Sequence, residues 1–223
     1  MKKLFVYGLS IALVAGAASC KKSSKGKMSN EWTMSAMTQT SSDKDTNGDV
    51  TSSSMTVADG VLTMVETDAN GDKTTYTGTA DATWTIEKDG TWSRTMNMKI
   101  TSYTSGGTTV DVDLVNVETS SGTWDFLGGV TGDFKKNERV VFHTLSSSSS
   151  QTFTFSGTSS TDVDANTYAE GEMSEVMVIV ESKGKELEMM KDESNSNTYT
   201  PDGGSASTSS STSSMTVTLT QGE

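Results

Sequence analysis

The 223-residue chain carries 29 acidic against 17 basic side chains, a net charge of −12 that argues against nucleic acid as a partner. A hydrophobic content of 32% predicts a single domain with a thin core, and one proline with little helical periodicity predicts β-structure.

In chain order, Met1, Lys2 and Lys3 form a cationic start, and residues 4–16 (LFVYGLSIALVAG) form an apolar run too short to span a bilayer. The small residues Ala17, Ala18 and Ser19 follow, so residues 1–19 read as a signal peptide. The chain's one cysteine, Cys20, stands at the expected cleavage point. The stretch AASC resembles a bacterial lipobox, with Ala17 where leucine is usual. That resemblance implies acylation of Cys20, making the membrane a partner through a lipid anchor rather than a spanning helix. An acylated Cys20 leaves the mature chain no thiol for a disulfide, a nucleophile or a metal. Loss of Lys2 and Lys3 takes the net charge to −14 (15 basic, 29 acidic). Lys21 occupies the position where an inner-membrane retention signal would place aspartate, so the expected location is the outer membrane. The basic run KKSSKGK favours its periplasmic side over the cell surface. Residues 20–30 then read as the acylated cysteine and a flexible tether, and residues 31–223 as one β-domain.

Residues 31–37 (EWTMSAM) are the first expected strand. Residues 61–67 and 73–77 flank an Asn70-Gly71 turn, and residues 83–92 (TWTIEKDGTW) form the clearest hairpin. A three-residue loop over 88–90, with Gly90 at positive φ, pairs Ile86 with Trp92 and keeps apolar against apolar. A loop over 105–107 then pairs Ile100 with Val112 and Met98 with Leu114, and sets Glu118 opposite Arg94. A further turn over 119–121 would set Leu114 opposite Phe126 and Asn116 opposite Trp124. This places the even-numbered residues from 84 to 126 on one face. Further strands are expected over 138–145, 151–156, 174–182, 185–190 and 215–220. The serine-rich runs 146–150 and 205–214 read as flexible loops. Eight to ten antiparallel strands in sequence order predict an all-β fold, either an up-and-down barrel or a β-sandwich.

TWTIEKDGTW and residues 121–143 (SGTWDFLGGVTGDFKKNERVVFH) resemble the lipocalin-like lipoproteins of Gram-negative bacteria. In these a tryptophan strand, here with Trp32, follows an acylated cysteine, and DGTW- and GTWDF-type segments recur, here at 89–92 and 122–126. The resemblance covers roughly residues 31–192 and implies a small meander barrel. Residues 40–60 and the serine-rich stretch before the last strand depart from it.

Four groups of residues are candidates for function. Asp43, Asp45, Asn47, Gly48 and Asp49 match the start of an EF-hand calcium loop, but position 12 is Ser54 instead of glutamate. The competing interpretation is a solvated acidic turn, and calcium is the only cofactor the sequence raises. His143, the single histidine, has no second histidine, HExxH or nucleophile-elbow motif beside it, so no enzyme is expected. The even face, with Trp84, Trp92, Met96, Met98 and Trp124, is either core or the wall of a cavity for a small apolar ligand. Arg94 and Glu118 interrupt that face as a charged pair, with Trp84 on the other side of the arginine. The expected function is therefore a non-enzymatic envelope lipoprotein that binds or carries a small, mostly apolar ligand. The alternative is a sandwich-fold interaction or adhesion subunit that meets protein or glycan.

Overall fold

The computed structural model describes residues 24–128, 138–200 and 206–222. Cys20 and the signal peptide lie outside the described residues. A four-residue helix, α1 (Lys25–Met28), precedes eleven strands. They are β1 (Glu31–Lys44), β2 (Val50–Ala58), β3 (Val61–Thr67), β4 (Lys73–Ile86), β5 (Thr91–Ser105), β6 (Thr108–Gly128), β7 (Glu138–Phe155), β8 (Thr158–Thr167), β9 (Ser174–Lys183), β10 (Glu186–Tyr199) and β11 (Ser207–Thr220). All pairings are antiparallel, and ten strands close into a barrel in which β6 meets β7 and β1 meets β11. Closure satisfies the backbone donors and acceptors that an open sheet leaves at its edges. The continuous ring replaces the two-sheet sandwich that the strand pattern also allowed.

The ring changes size along its axis. At the lower end, Trp32 pairs directly with Trp84, so β1 neighbours β4 and the wall has eight strands. Higher up, the β2–β3 hairpin wedges between them, held by Asp59 N–H to the Ser35 carbonyl (3.2 Å) and Ala80 N–H to the Gly60 carbonyl (3.0 Å). β8 lies outside the ring proper and pairs with the upper half of β7, while β9 takes the lower half. The upper wall is therefore parted between β8 and the upper half of β10, which pairs with β11 but not with β9 among the described residues.

The lower end is filled. Trp84 and Trp92 stack at 6.1 Å, and Phe142 meets both edge-on at 5.5 and 5.2 Å. Trp32, Ile86, Trp124, Val140, Met177, Leu187, Met189 and Leu219 complete the packing. The segment before β1, expected as tether through Asn30, is folded from Ser24 and plugs this end. Met28 is fully buried, its carbonyl accepts the Trp32 indole N–H (2.8 Å), and the Lys27 ammonium donates to the Ser182 carbonyl (2.9 Å).

The 86–92 hairpin has the expected register. Ile86 pairs with Trp92, Glu87 N–H donates to the Thr91 carbonyl (2.9 Å), and Gly90 has φ 93°. The next connection differs. Gly106 and Gly107 alone make the turn, at φ 56° and 80°, so Ser105 pairs with Thr108. β6 then carries an extra residue between Asp111 and Leu114. The two one-residue differences add to two, which preserves the inward face but moves every partner. Ile100 meets Leu114, Met98 meets Asn116 and Met96 meets Glu118, while Arg94 lies opposite Ser120 and Trp84.

The turn expected over 119–121 does not exist, because β6 runs unbroken through it. Leu114 therefore pairs with Phe153 and Trp124 with Phe142, both on β7. Gly122 serves close approach here: a Cβ would overlap the His143 carbonyl oxygen of β7. Gly78 plays the same part against the Lys99 carbonyl. The serine run 146–150 is strand, paired with β6 on one edge and β8 on the other, and most of the second run lies in β11. Gly122→Ala and Gly78→Ala are each expected to lower unfolding stability by about 1–3 kcal/mol through backbone overlap. Gly26→Ala, where a Cβ meets nothing, serves as the control in urea denaturation.

Candidate functional site

Above the aromatic floor the barrel is hollow. Its cavity has a volume of about 620 Å³ and begins at the rung of Arg94. Alternation directs Met37 and Gln39 of β1, Met55 of β2, Leu62, Met64 and Glu66 of β3, and Tyr76 of β4 into it. The opposite wall supplies Arg94, Met96, Met98 and Ile100 of β5, Leu114, Asn116 and Glu118 of β6, Gln151 of β7 and Met215 of β11. Methionine suits this position because its flexible, polarizable side chain packs against apolar shapes without a fixed template. Toward the rim, inward positions become serine, threonine, asparagine and aspartate, around two further spaces of about 510 and 520 Å³.

The charged residues of the cavity are not equivalent. Glu118 accepts a hydrogen bond from the Asn116 amide (3.0 Å). Glu66 accepts one from the Tyr76 hydroxyl (3.1 Å), and burial, followed by this carboxylate, raises the Tyr76 pKa above its ordinary value. Arg94 places its guanidinium carbon 5.3 Å from the centre of the Trp84 ring, while its buried Nε has no hydrogen-bond partner. The pair expected between Arg94 and Glu118 is replaced by this arrangement, with Glu118 one rung higher.

The chain matches no known family model, and comparisons with curated proteins and with solved structures return no match. What the site does must therefore be read from its own geometry.

Of the residues expected at a ligand site, Arg94, Met96, Met98 and Glu118 line the cavity. Trp84, Trp92 and Trp124 lie in the packed floor beneath it, with the Trp92 and Trp124 indoles donating to the carbonyls of His143 (3.2 Å) and Glu87 (2.8 Å). The sequence pattern missed Met37, Met55, Met64 and Tyr76. The pattern of residues 61–67 marks a strand, but nothing local says that it faces Met96 and Met98 inside one space.

The calcium-like segment forms the β1–β2 turn. The Asp45 carboxylate accepts the backbone amides of Asn47 (2.8 Å) and Asp49 (2.9 Å) and the Asn47 side-chain amide (3.1 Å). Desolvation, the largest single influence, raises the Asp45 pKa, but the hydrogen bonds from Asp49, Asn47 and Gly48 together outweigh it and hold the group below its ordinary value. Asp68 repeats the arrangement in the β3–β4 turn, with the Asp72 and Asn70 amides each at 2.9 Å. Among the described residues, no group of three or more His, Cys, Asp or Glu side chains is gathered as a metal site.

His143 lies on the outer face of β7. Its Nδ1 is 2.7 Å from the Ser174 hydroxyl and its Nε2 is 4.0 Å from an Asp125 carboxylate oxygen. The three are neighbours across β9, β7 and β6, and none lines the cavities described above. The trio is a cross-strand contact on the outer face of the described wall.

Because Asp45 already serves the turn, Asp45→Ala is expected to lower the melting temperature equally with and without millimolar calcium. Differential scanning calorimetry checks this, and a calcium-dependent rise in wild type abolished by the mutation would contradict it.

Proposed function

We propose that this protein is a non-enzymatic cell-envelope lipoprotein, anchored in the outer membrane through Cys20, that binds or carries a small, mostly apolar ligand inside its barrel. The methionine-lined cavity carries this reading. Its volume of about 620 Å³ falls within the range of roughly 300–1,000 Å³ common for small-molecule sites. Six of its lining residues are methionines (37, 55, 64, 96, 98 and 215), set between a packed floor and a polar rim. The resemblance of TWTIEKDGTW and GTWDF to lipocalin-like lipoproteins of Gram-negative bacteria supports the same use.

The proposed anchor orients the barrel. Three residues separate Cys20 from Ser24, and the four Cα-to-Cα steps between them reach at most about 14 Å. Ser24 N–H is bonded to Glu138 (3.2 Å) at the plugged end. An acylated Cys20 therefore holds the closed end against the bilayer and leaves the polar mouth facing the aqueous side.

The neutral dye N-phenyl-1-naphthylamine is expected to bind purified protein with one-to-one stoichiometry and enhanced fluorescence. Met98→Trp, which fills the cavity, is expected to weaken binding about tenfold, or ~1.4 kcal/mol. Absence of saturable binding, or binding unchanged by the substitution, would contradict the ligand reading. Anchoring is tested separately: a fatty-acid probe is expected to label wild type in cells and not Cys20→Ser, and equal labelling would refute the anchor.

A further inference from the structure

Arg94 sits at the junction of floor and cavity. Its guanidinium covers the Trp84 ring at 5.3 Å, and its Nε is buried without a partner. Glu66 and Glu118, the other charged residues lining the cavity, already accept hydrogen bonds from Tyr76 and Asn116. A buried donor left unpaired is costly, and a charged donor of this planar shape favours a carboxylate. Methionines rise above it toward the polar rim. We infer that the ligand is a single-chain anionic amphiphile, bound with its carboxylate on Arg94 at the cavity floor and its chain running up past Met96 and Met98. This inference rests on the ligand-binding reading above and adds charge and orientation to it.

The orientation has an internal reporter. All four tryptophans of the chain, Trp32, Trp84, Trp92 and Trp124, belong to the packed floor, so a quencher near a deep head group meets indoles and one near the tail does not.

The test uses the full barrel and displacement of N-phenyl-1-naphthylamine by twelve-carbon probes. Dodecanoate is expected to displace the dye at least tenfold better than methyl dodecanoate or dodecanol. Arg94→Met is expected to remove that preference, read as the ratio of acid to ester displacement against the variant's own dye affinity, and to melt no lower than wild type because an unpaired buried donor is gone. Arg94→Lys is expected to retain part of the preference. In wild type, 2-bromododecanoate is expected to quench tryptophan fluorescence more strongly than 12-bromododecanoate. Equal displacement by acid and ester, an acid preference that survives Arg94→Met, or stronger quenching by the 12-bromo acid would overturn the inference and leave the cavity reading intact. Failure of wild type to bind the neutral dye would overturn both.

Discussion

Trp84 and Trp92 stack on each other and both meet Phe142, so β4, β5 and β7 must reach the same height in the barrel. That requirement sets the lower structure. Trp32 pairs with Trp84 from β1, Trp124 pairs with Phe142 from β6, and Met28 seals the end below. Arg94, over the Trp84 ring, marks the top of the cluster. Above it, insertion of β2 and β3 widens the wall from eight strands, and a wider ring encloses more volume than methionine and small polar side chains can fill. The cavity is therefore a geometric consequence of where the large side chains stop.

The upper wall holds together on different terms. Its side chains bury little apolar surface, so the backbone ladder on either side of the gap between β8 and β10 carries it, helped by hydroxyl pairs across strands. Ser41 meets Ser53 at 2.9 Å, Thr77 meets Ser102 at 2.7 Å, Thr119 meets Ser148 at 3.0 Å and Thr198 meets Thr208 at 3.0 Å. Such pairs add modestly each, but they give serine-rich strands a reason to be strands. Asp45 and Asp68 secure two of the turns at this end by accepting backbone amides.

These terms explain what the sequence disclosed. Alternation around Trp84, Ile86 and Trp92, with one glycine at the required φ, determined the 86–92 register, because a one-residue slip would have put apolar against polar. The same reasoning misplaced Glu118: a two-glycine turn and a compensating bulge leave the face unchanged while shifting the partner, and alternation is blind to even shifts. Residues 119–121 looked like a turn because short polar residues favour turns; the strand they form, and the close approach that Gly122 permits beside them, depend on the position of β7. The serine runs looked like loops because their strand character comes from neighbours distant in sequence. One strand pair of the candidate site was legible for the same reason. Arg94, Met96, Met98 and Glu118 share one strand pair, whereas Met37, Met55, Met64 and Met215 reach the cavity from strands that local pattern does not join to it.

The central claim is that a hollow, methionine-lined interior above a filled aromatic floor receives an apolar molecule. Methyl-labelled methionine NMR tests it most directly, since the methionines among the described residues sample both regions and the surface. On titration with dodecanol, the methyl signals of Met37, Met55, Met64, Met96, Met98 and Met215 are predicted to shift in a saturable way, while those of Met28, Met177 and Met189 in the packed floor stay fixed. Shifts confined to exposed Met173, or spread equally over floor and cavity methionines, would contradict the account.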